Sequence, residues 1–136
     1  MTSQNSASRT SGWSIALRHP LKPEVRLAEF WLVNQALGTS GSGTQFFHYQ
    51  GKRYGHILDP RTGWPADNVL SSTVISPTAA EADALSTALY VMGLEAAREF
   101  CRLHPEIAAL LVTAGSKAGT TELHPLNLAD EAWRRL

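Results

Sequence analysis

Large apolar side chains at every second position of Trp13–Leu17 predict a half-buried β-strand that ends at Arg18-His19-Pro20. A second strand is expected around Ala28–Val33, and Ala36–Thr39 then runs into Ser40-Gly41-Ser42-Gly43, read as a flexible turn. Thr44–Tyr49 and Lys52–Leu58 flank Gln50-Gly51 like the arms of a hairpin. Asp59-Pro60-Arg61-Thr62-Gly63-Trp64-Pro65 is dense in turn chemistry, and Leu70–Ile75 reads as the next strand. Thr78-Ala79-Ala80-Glu81 has the capping-box pattern, so a helix is predicted from Ala79 to about Met92, stopped by Gly93. Leu94–His104 forms a second helix with Leu94, Ala97, Phe100 and Cys101 on one face. Ile107–Thr113 is a continuous apolar strand, followed by a turn, a short strand Thr120–Leu123 and a weakly amphipathic tail through Trp133. Antiparallel strands, two consecutive helices and further strands make an α+β fold, an antiparallel sheet packed against two consecutive helices, rather than alternating βαβ units.

Composition narrows the function. In 136 residues only one compact domain fits, with residues 1–12 expected as a disordered polar start and residues 13–136 as the domain. Twelve basic residues balance twelve acidic ones, and no Lys/Arg cluster interleaves with aromatics, which leaves a nucleic-acid surface unsupported. The partner expected is instead a small molecule or a protein. A single cysteine, Cys101, excludes an intrachain disulfide and a Cys-only zinc site. The Ser/Thr-rich start lacks the apolar stretch of an export signal, and no apolar run approaches the ~20 residues of a membrane span, so the chain as given is expected to be cytoplasmic.

Three places could carry chemistry. Apolar side chains run around nearly the whole circumference of Ala82–Met92, which predicts a buried helix holding one carboxylate, Asp83, with no Lys or Arg one turn away. Thr87 lies four residues on, so a carboxylate and a hydroxyl point the same way from adjacent turns, a pair of hard oxygen donors suited to Mg²⁺. The alternative is that Asp83 only complements the helix macrodipole. His56, at a strand end entering a rigid turn, is placed for acid–base work, although a lone histidine is also a common structural residue; His19, His48, His104 and His124 read as surface or turn residues. Gly38-Thr39-Ser40-Gly41-Ser42-Gly43 could lay backbone N–H groups around a phosphate, yet it matches neither a P-loop nor G-x-G-x-x-G, and by itself it reads rather as a turn between strands.

In this order, Thr39-Ser40-Gly41, then Gly51–Gly63 with His56-Ile57-Leu58-Asp59-Pro60-Arg61-Thr62-Gly63, then Thr78–Ala88 with Ala82-Asp83-Ala84-Leu85-Ser86-Thr87 resemble the C-terminal half of the FAD:protein FMN transferases, the ApbE family. The resemblance covers about Trp13 to Val112. It implies the T-fold-like half of the ApbE fold and a Mg²⁺-dependent enzyme that splits FAD at its pyrophosphate. FMN would pass to a Thr or Ser hydroxyl of an acceptor flavoprotein, releasing AMP. It also implies Asp83 and Thr87 as metal ligands, His56 as the acid–base residue, and Thr39, Ser40, Gly41, Ile57 and Thr62 beside the flavin nucleotide. Members of the family are commonly attached to the outer face of a bacterial membrane and are more than twice as long. The expectation is therefore a truncated copy, one partner of a split enzyme, a fragment of a longer reading frame, a homodimer that rebuilds the cleft, or a remnant that binds FAD or a partner chain without turnover. A pterin- or purine-binding protein of the related tunnelling fold is the weaker alternative.

Overall fold

The computed structural model describes residues 12–41 and 46–136. The expectation for the polar start, and those parts of the turn and hairpin that fall on Ser42–Gln45, lie outside the described residues. Among the described residues, nine strands and two α-helices follow one another as β1 (Trp13–Arg18), β2 (Arg26–Leu32), β3 (Ala36–Gly41), β4 (Phe46–Tyr49), β5 (Lys52–Gly55), β6 (Ser71–Ser76), α1 (Ala79–Met92), α2 (Leu94–Leu103), β7 (Ala108–Ala114), β8 (Thr121–Leu126) and β9 (Trp133–Arg135).

The strands form an antiparallel sheet β3-β6-β7-β8, a smaller sheet β1-β2-β9 and the hairpin β4-β5. Both faces of the four-stranded sheet are covered. Val74, Ala109 and Leu111 pack with Leu89, Tyr90, Ala97 and Cys101 beneath the helices. Ile75, Leu110 and Val112 pack against Leu17, Ala28 and Phe30 of the smaller sheet. The result is three layers, helices on sheet on sheet, and the middle strands are buried from both sides. That accounts for the unbroken apolar run of β7 and for the burial of all six residues of β6. The single antiparallel sheet expected from the pattern is thus divided into layers, within the expected α+β class.

Local chemistry explains the ends of the elements. Thr78, in extended backbone, accepts the Glu81 N–H at 3.2 Å and starts α1. Gly93 ends α1, donating its N–H to the Leu89 carbonyl at 3.1 Å, and begins α2 at φ 89°, a backbone conformation that a side chain resists. Gln50 and Gly51 both have positive φ, as a two-residue hairpin turn with the twist of its strands requires.

Two departures from the sequence pattern have plain causes. The predicted flexible turn at Ser40-Gly41 is the end of β3, because Ser40 pairs with Ser72 and Gly41 with Ser71 across β6. The C-terminal tail is not an unpaired amphipathic segment: after a single turn of 3-10 helix, β9 pairs with β2. Arg134 there donates to Glu29 at 2.8 and 3.0 Å, and Ser14 donates to the other oxygen of the same carboxylate. A cross-strand charge pair between positions 105 residues apart leaves no local signature in the chain.

Helix α1 lies directly on β3. A Cβ added at Gly38 would come within 2.8 Å of the Ala82 carbonyl oxygen and 3.0 Å of the Asp83 amide nitrogen, so the close approach depends on glycine. Replacing Gly38 by Ala is expected to cost about 1–3 kcal/mol in urea unfolding, since backbone rather than a side-chain tip must move. A Gly38→Ala protein as stable as its parent would contradict this packing. At the far end, the Asn127 side-chain amide donates to the carbonyls of Cys101 at 2.7 Å and Ile107 at 2.8 Å, closing α2 from β8's flank. Because Asn127 has φ 55°, Asn127→Gly keeps the backbone conformation while removing these bonds and a longer one, 3.3 Å, to the His104 carbonyl. A loss of about 1–3 kcal/mol in thermal or urea unfolding is expected, and no loss would show the cap to be idle.

Candidate active site

The turn after β5 is assembled by Asp59. Its carboxylate accepts the Arg61 backbone N–H at 2.9 Å and the Arg61 guanidinium at 3.0 and 2.8 Å, and its carbonyl accepts the N–H of Gly63 at 2.8 Å. Thr62 is spent inside the same turn, its hydroxyl accepting the Trp64 N–H at 3.1 Å. Ile57 is partly buried against the core, with its carbonyl accepting the Ala66 N–H at 2.9 Å. The guanidinium of Arg61 also donates to the Val91 carbonyl at 3.3 Å, which pins the turn to the last turn of α1. Leu58, Pro60 and Arg61 then form one wall of a shallow groove whose other wall is Ala84, Thr87, Ala88 and Val91 of α1.

The opposite flank of α1 meets β3. Ser40 Oγ lies 2.8 Å from Ser86 Oγ and 2.9 Å from Thr87 Oγ1, while Ser86 Oγ donates to the Asp83 carbonyl at 2.9 Å. Thr87 therefore bonds to Ser40 and faces Leu58, Pro60 and Arg61 of the His56–Gly63 turn across the groove. The strand's alternation divides Thr39-Ser40-Gly41 between two faces. Ser40 faces the helix, whereas Thr39 bonds to Thr73 at 3.0 Å and, with Gly41, Leu37 and Ser71, lines a separate groove beside β1. His56 is exposed just beyond β5, two residues before Leu58.

The expectation of a helix buried all round is corrected. Only Ala82, Ser86, Leu89 and Tyr90 of α1 are buried, and Asp83 and Thr87 are exposed. The apolar residues on the outer side, Ala84 and Met92 among them, face the groove rather than a core. Among the described residues the Asp83 carboxylate has no hydrogen-bond or ion-pair partner, and Thr87 Oγ1 stands one turn away. Two hard oxygens at an accessible position fit Mg²⁺, which keeps most of its ligands as water and phosphate. No group of three or more His, Cys, Asp or Glu that could hold a metal is found among the described residues.

Among the other histidines, His19 lies in a turn, as expected, but not at the surface. It is buried at the end of β1, where Nδ1 accepts the N–H groups of Leu21 and Lys22 at 3.1 and 3.2 Å. Burial, reinforced by the neighbouring Lys22 charge, pushes its pKa down. His124 is half-buried in β8, 2.8 Å from the Thr113 hydroxyl. The residue that pattern reading underrated is Asp59, whose signal was only that of a turn starter. Its placement between Arg61 and the turn backbone is what carries the histidine-bearing motif onto the helix.

A layered α+β domain that gathers three separated motifs around one helix is the class this structure defines. The ApbE family model matches residues 2–111, and the chain belongs to the ApbE family. It is similar to the FAD:protein FMN transferase of Escherichia coli, with 36% identity over 115 residues, covering 83% of this chain and 32% of that protein. An FAD:protein FMN transferase of Klebsiella pneumoniae is 39% identical over 103 residues, covering 74% of this chain and 33% of that protein. Among solved structures, the ApbE protein of Thermotoga maritima matches with a TM-score of 0.69 at 36% identity, covering 82% of this chain and 36% of that one. The flavin transferase ApbE from Vibrio cholerae matches with a TM-score of 0.66 at 29% identity, covering 83% and 35%. The chain spans about a third of the length of these relatives.

The Arg61 hydrogen bonds hold the Asp59 carboxyl below its ordinary range, against a smaller opposing effect of burial. A depressed carboxylate pKa stabilises the turn above the unfolded value of about 3.9, and that contribution is lost as pH falls through the lower folded value. Fluorescence of the turn, read through Trp64 in a variant lacking the other tryptophans, is expected to stay constant from pH 7 to about 4 and to change only below that. A transition centred at pH 5 or above would contradict this arrangement.

Proposed function

We propose that this chain takes part in Mg²⁺-dependent transfer of FMN from FAD to a Thr or Ser hydroxyl of an acceptor flavoprotein, with release of AMP. The observation that carries the reading is the unpartnered Asp83 carboxylate one helical turn from Thr87 Oγ1, on the helix where the three motifs meet. The FAD:protein FMN transferase names of the relatives supply the donor and the transferred group. Asp83 and Thr87 would hold the cation. Mg²⁺, when bound, supplies charge neutralisation at the pyrophosphate and polarises the phosphorus under attack.

The acceptor oxygen forms a bond to the FMN phosphorus of FAD, and the bond from that phosphorus to the bridging oxygen breaks. AMP leaves with the bonding electron pair, while His56, exposed and two residues before Leu58 of the groove wall, takes the acceptor proton. The Leu58–Arg61 turn and the outer face of α1 line one side of this reaction with largely apolar surface. The assignment of Thr39, Ser40, Gly41, Ile57 and Thr62 to the nucleotide's surroundings belongs to the same proposal. Within it, the hydroxyl of Thr39 and the backbone of Gly41 serve the side of β3 away from α1, and Thr62 acts by shaping the turn.

A second reading is favoured by the open groove itself, where Leu58 is 58% exposed and Met92 39%. In it the chain binds FAD and completes its site only with another polypeptide or a second copy, since apolar surface of this kind is ordinarily covered.

Incubation of the chain with FAD, Mg²⁺ and a Thr-containing acceptor peptide is expected to yield a flavinylated peptide detectable by mass spectrometry. Asp83→Asn is expected to remove at least about 100-fold of that product. Being an exposed, unpaired position, it should change stability by no more than about 0.5 kcal/mol. Well-folded protein that binds FAD but gives no product would favour the second reading. Equal yields from the parent and Asp83→Asn would overturn the metal role.

A further inference from the structure

The hydroxyls between β3 and α1 form a chain whose direction follows from counting protons. Ser86 Oγ has one proton and donates it to the Asp83 carbonyl at 2.9 Å. In the 2.8 Å contact between Ser86 and Ser40, Ser86 therefore accepts, and the Ser40 proton is committed there. The 2.9 Å contact between Ser40 and Thr87 then requires Thr87 to donate, because two hydroxyl oxygens at that distance with no proton between them repel. The competing acceptor for Thr87, the Asp83 carbonyl, is 3.4 Å away. Protons thus run from Thr87 to Ser40 to Ser86 to the Asp83 carbonyl. Ser86 is fully buried, so the end of the chain is shielded from water. Thr87 is exposed, and once its proton is given to Ser40 the lone pairs of its oxygen remain available to a ligand.

We propose that Ser40 is a positioning residue: it takes the Thr87 proton and holds the threonine in the one rotamer that presents lone pairs to a divalent cation beside Asp83. This rests on the Mg²⁺ reading above and goes beyond it by giving β3 a part in the cation site without touching the ion. A threonine in a helix divides its side chain between two rotamers, so an external acceptor is needed to select one. Outer partners that orient metal ligands typically govern affinity by about 10–100-fold.

Two measurements on the intact chain test this. Without metal, three-bond couplings at Thr87 report its χ1 rotamer. A single rotamer is expected in the parent and in Ser40→Thr, and rotamer averaging in Ser40→Ala. Free Mn²⁺, followed by electron paramagnetic resonance, then gives the affinity. Ser40→Ala is expected to weaken Mn²⁺ binding by at least about tenfold, with Ser40→Thr restoring it to near the parent value. Ser86→Ala frees the Ser40 proton to turn toward Thr87. It is expected to weaken Mn²⁺ binding while leaving Thr87 in a single rotamer, a result that general loosening of the helix would not produce.

If Ser40→Ala leaves both the rotamer and the affinity unchanged while Asp83→Asn abolishes Mn²⁺ binding, this inference is overturned and the metal reading stands. If the parent chain itself does not bind Mn²⁺, the metal reading falls and the purpose assigned to Ser40 falls with it, whatever the couplings show.

Discussion

The absence of a side chain at Gly38 is the constraint on which the arrangement rests. Helix α1 comes so close to β3 that the Ala82 carbonyl occupies the space a Cβ would need. A wider spacing would take Ser40 out of reach of Ser86 and Thr87, because hydroxyl hydrogen bonds fade within a few tenths of an ångström of the distances seen here. A backbone approach therefore sets a side-chain geometry two residues further along the strand.

That geometry brings one residue of the first motif, Ser40, and the turn of the second to the helix that carries the third. β3 brings its serine to one flank of α1. The Asp59–Arg61 turn is locked by its own hydrogen bonds and pinned through Arg61 to the Val91 carbonyl, so it brings the histidine-bearing segment to the other flank. Between them the helix presents Asp83 and Thr87 outward. The central sheet, buried on both faces by the helices and by β1-β2-β9, supplies the rigid floor that keeps these placements within hydrogen-bonding tolerance.

Much of this was legible along the chain. The capping box at Thr78, the glycine at position 93 and the apolar run of β7 are local signals, and α1 falls over the very residues they mark. The Asp83–Thr87 spacing was legible for the same reason, since helical periodicity is local. Burial of α1 was misread because alanines and a methionine on its outer side look like core residues to a hydrophobicity pattern, yet they line a groove. Ser40-Gly41 looked like a turn because serine and glycine are turn residues. Only cross-strand pairing with Ser71 and Ser72 makes them strand, and pairing partners are invisible in one segment. β9 and the cap by Asn127 escaped notice for the same reason: both depend on acceptors far away in the sequence.

The central claim is that Asp83 and Thr87 of α1, oriented by β3, form a site for a divalent cation. The most direct measurement is anomalous diffraction from a crystal of the chain grown with Mn²⁺. The account predicts one strong peak within about 2.1 Å of an Asp83 carboxylate oxygen and of Thr87 Oγ1, with water filling the remaining positions. A peak held by other residues, with Asp83 and Thr87 solvated as before, would contradict it.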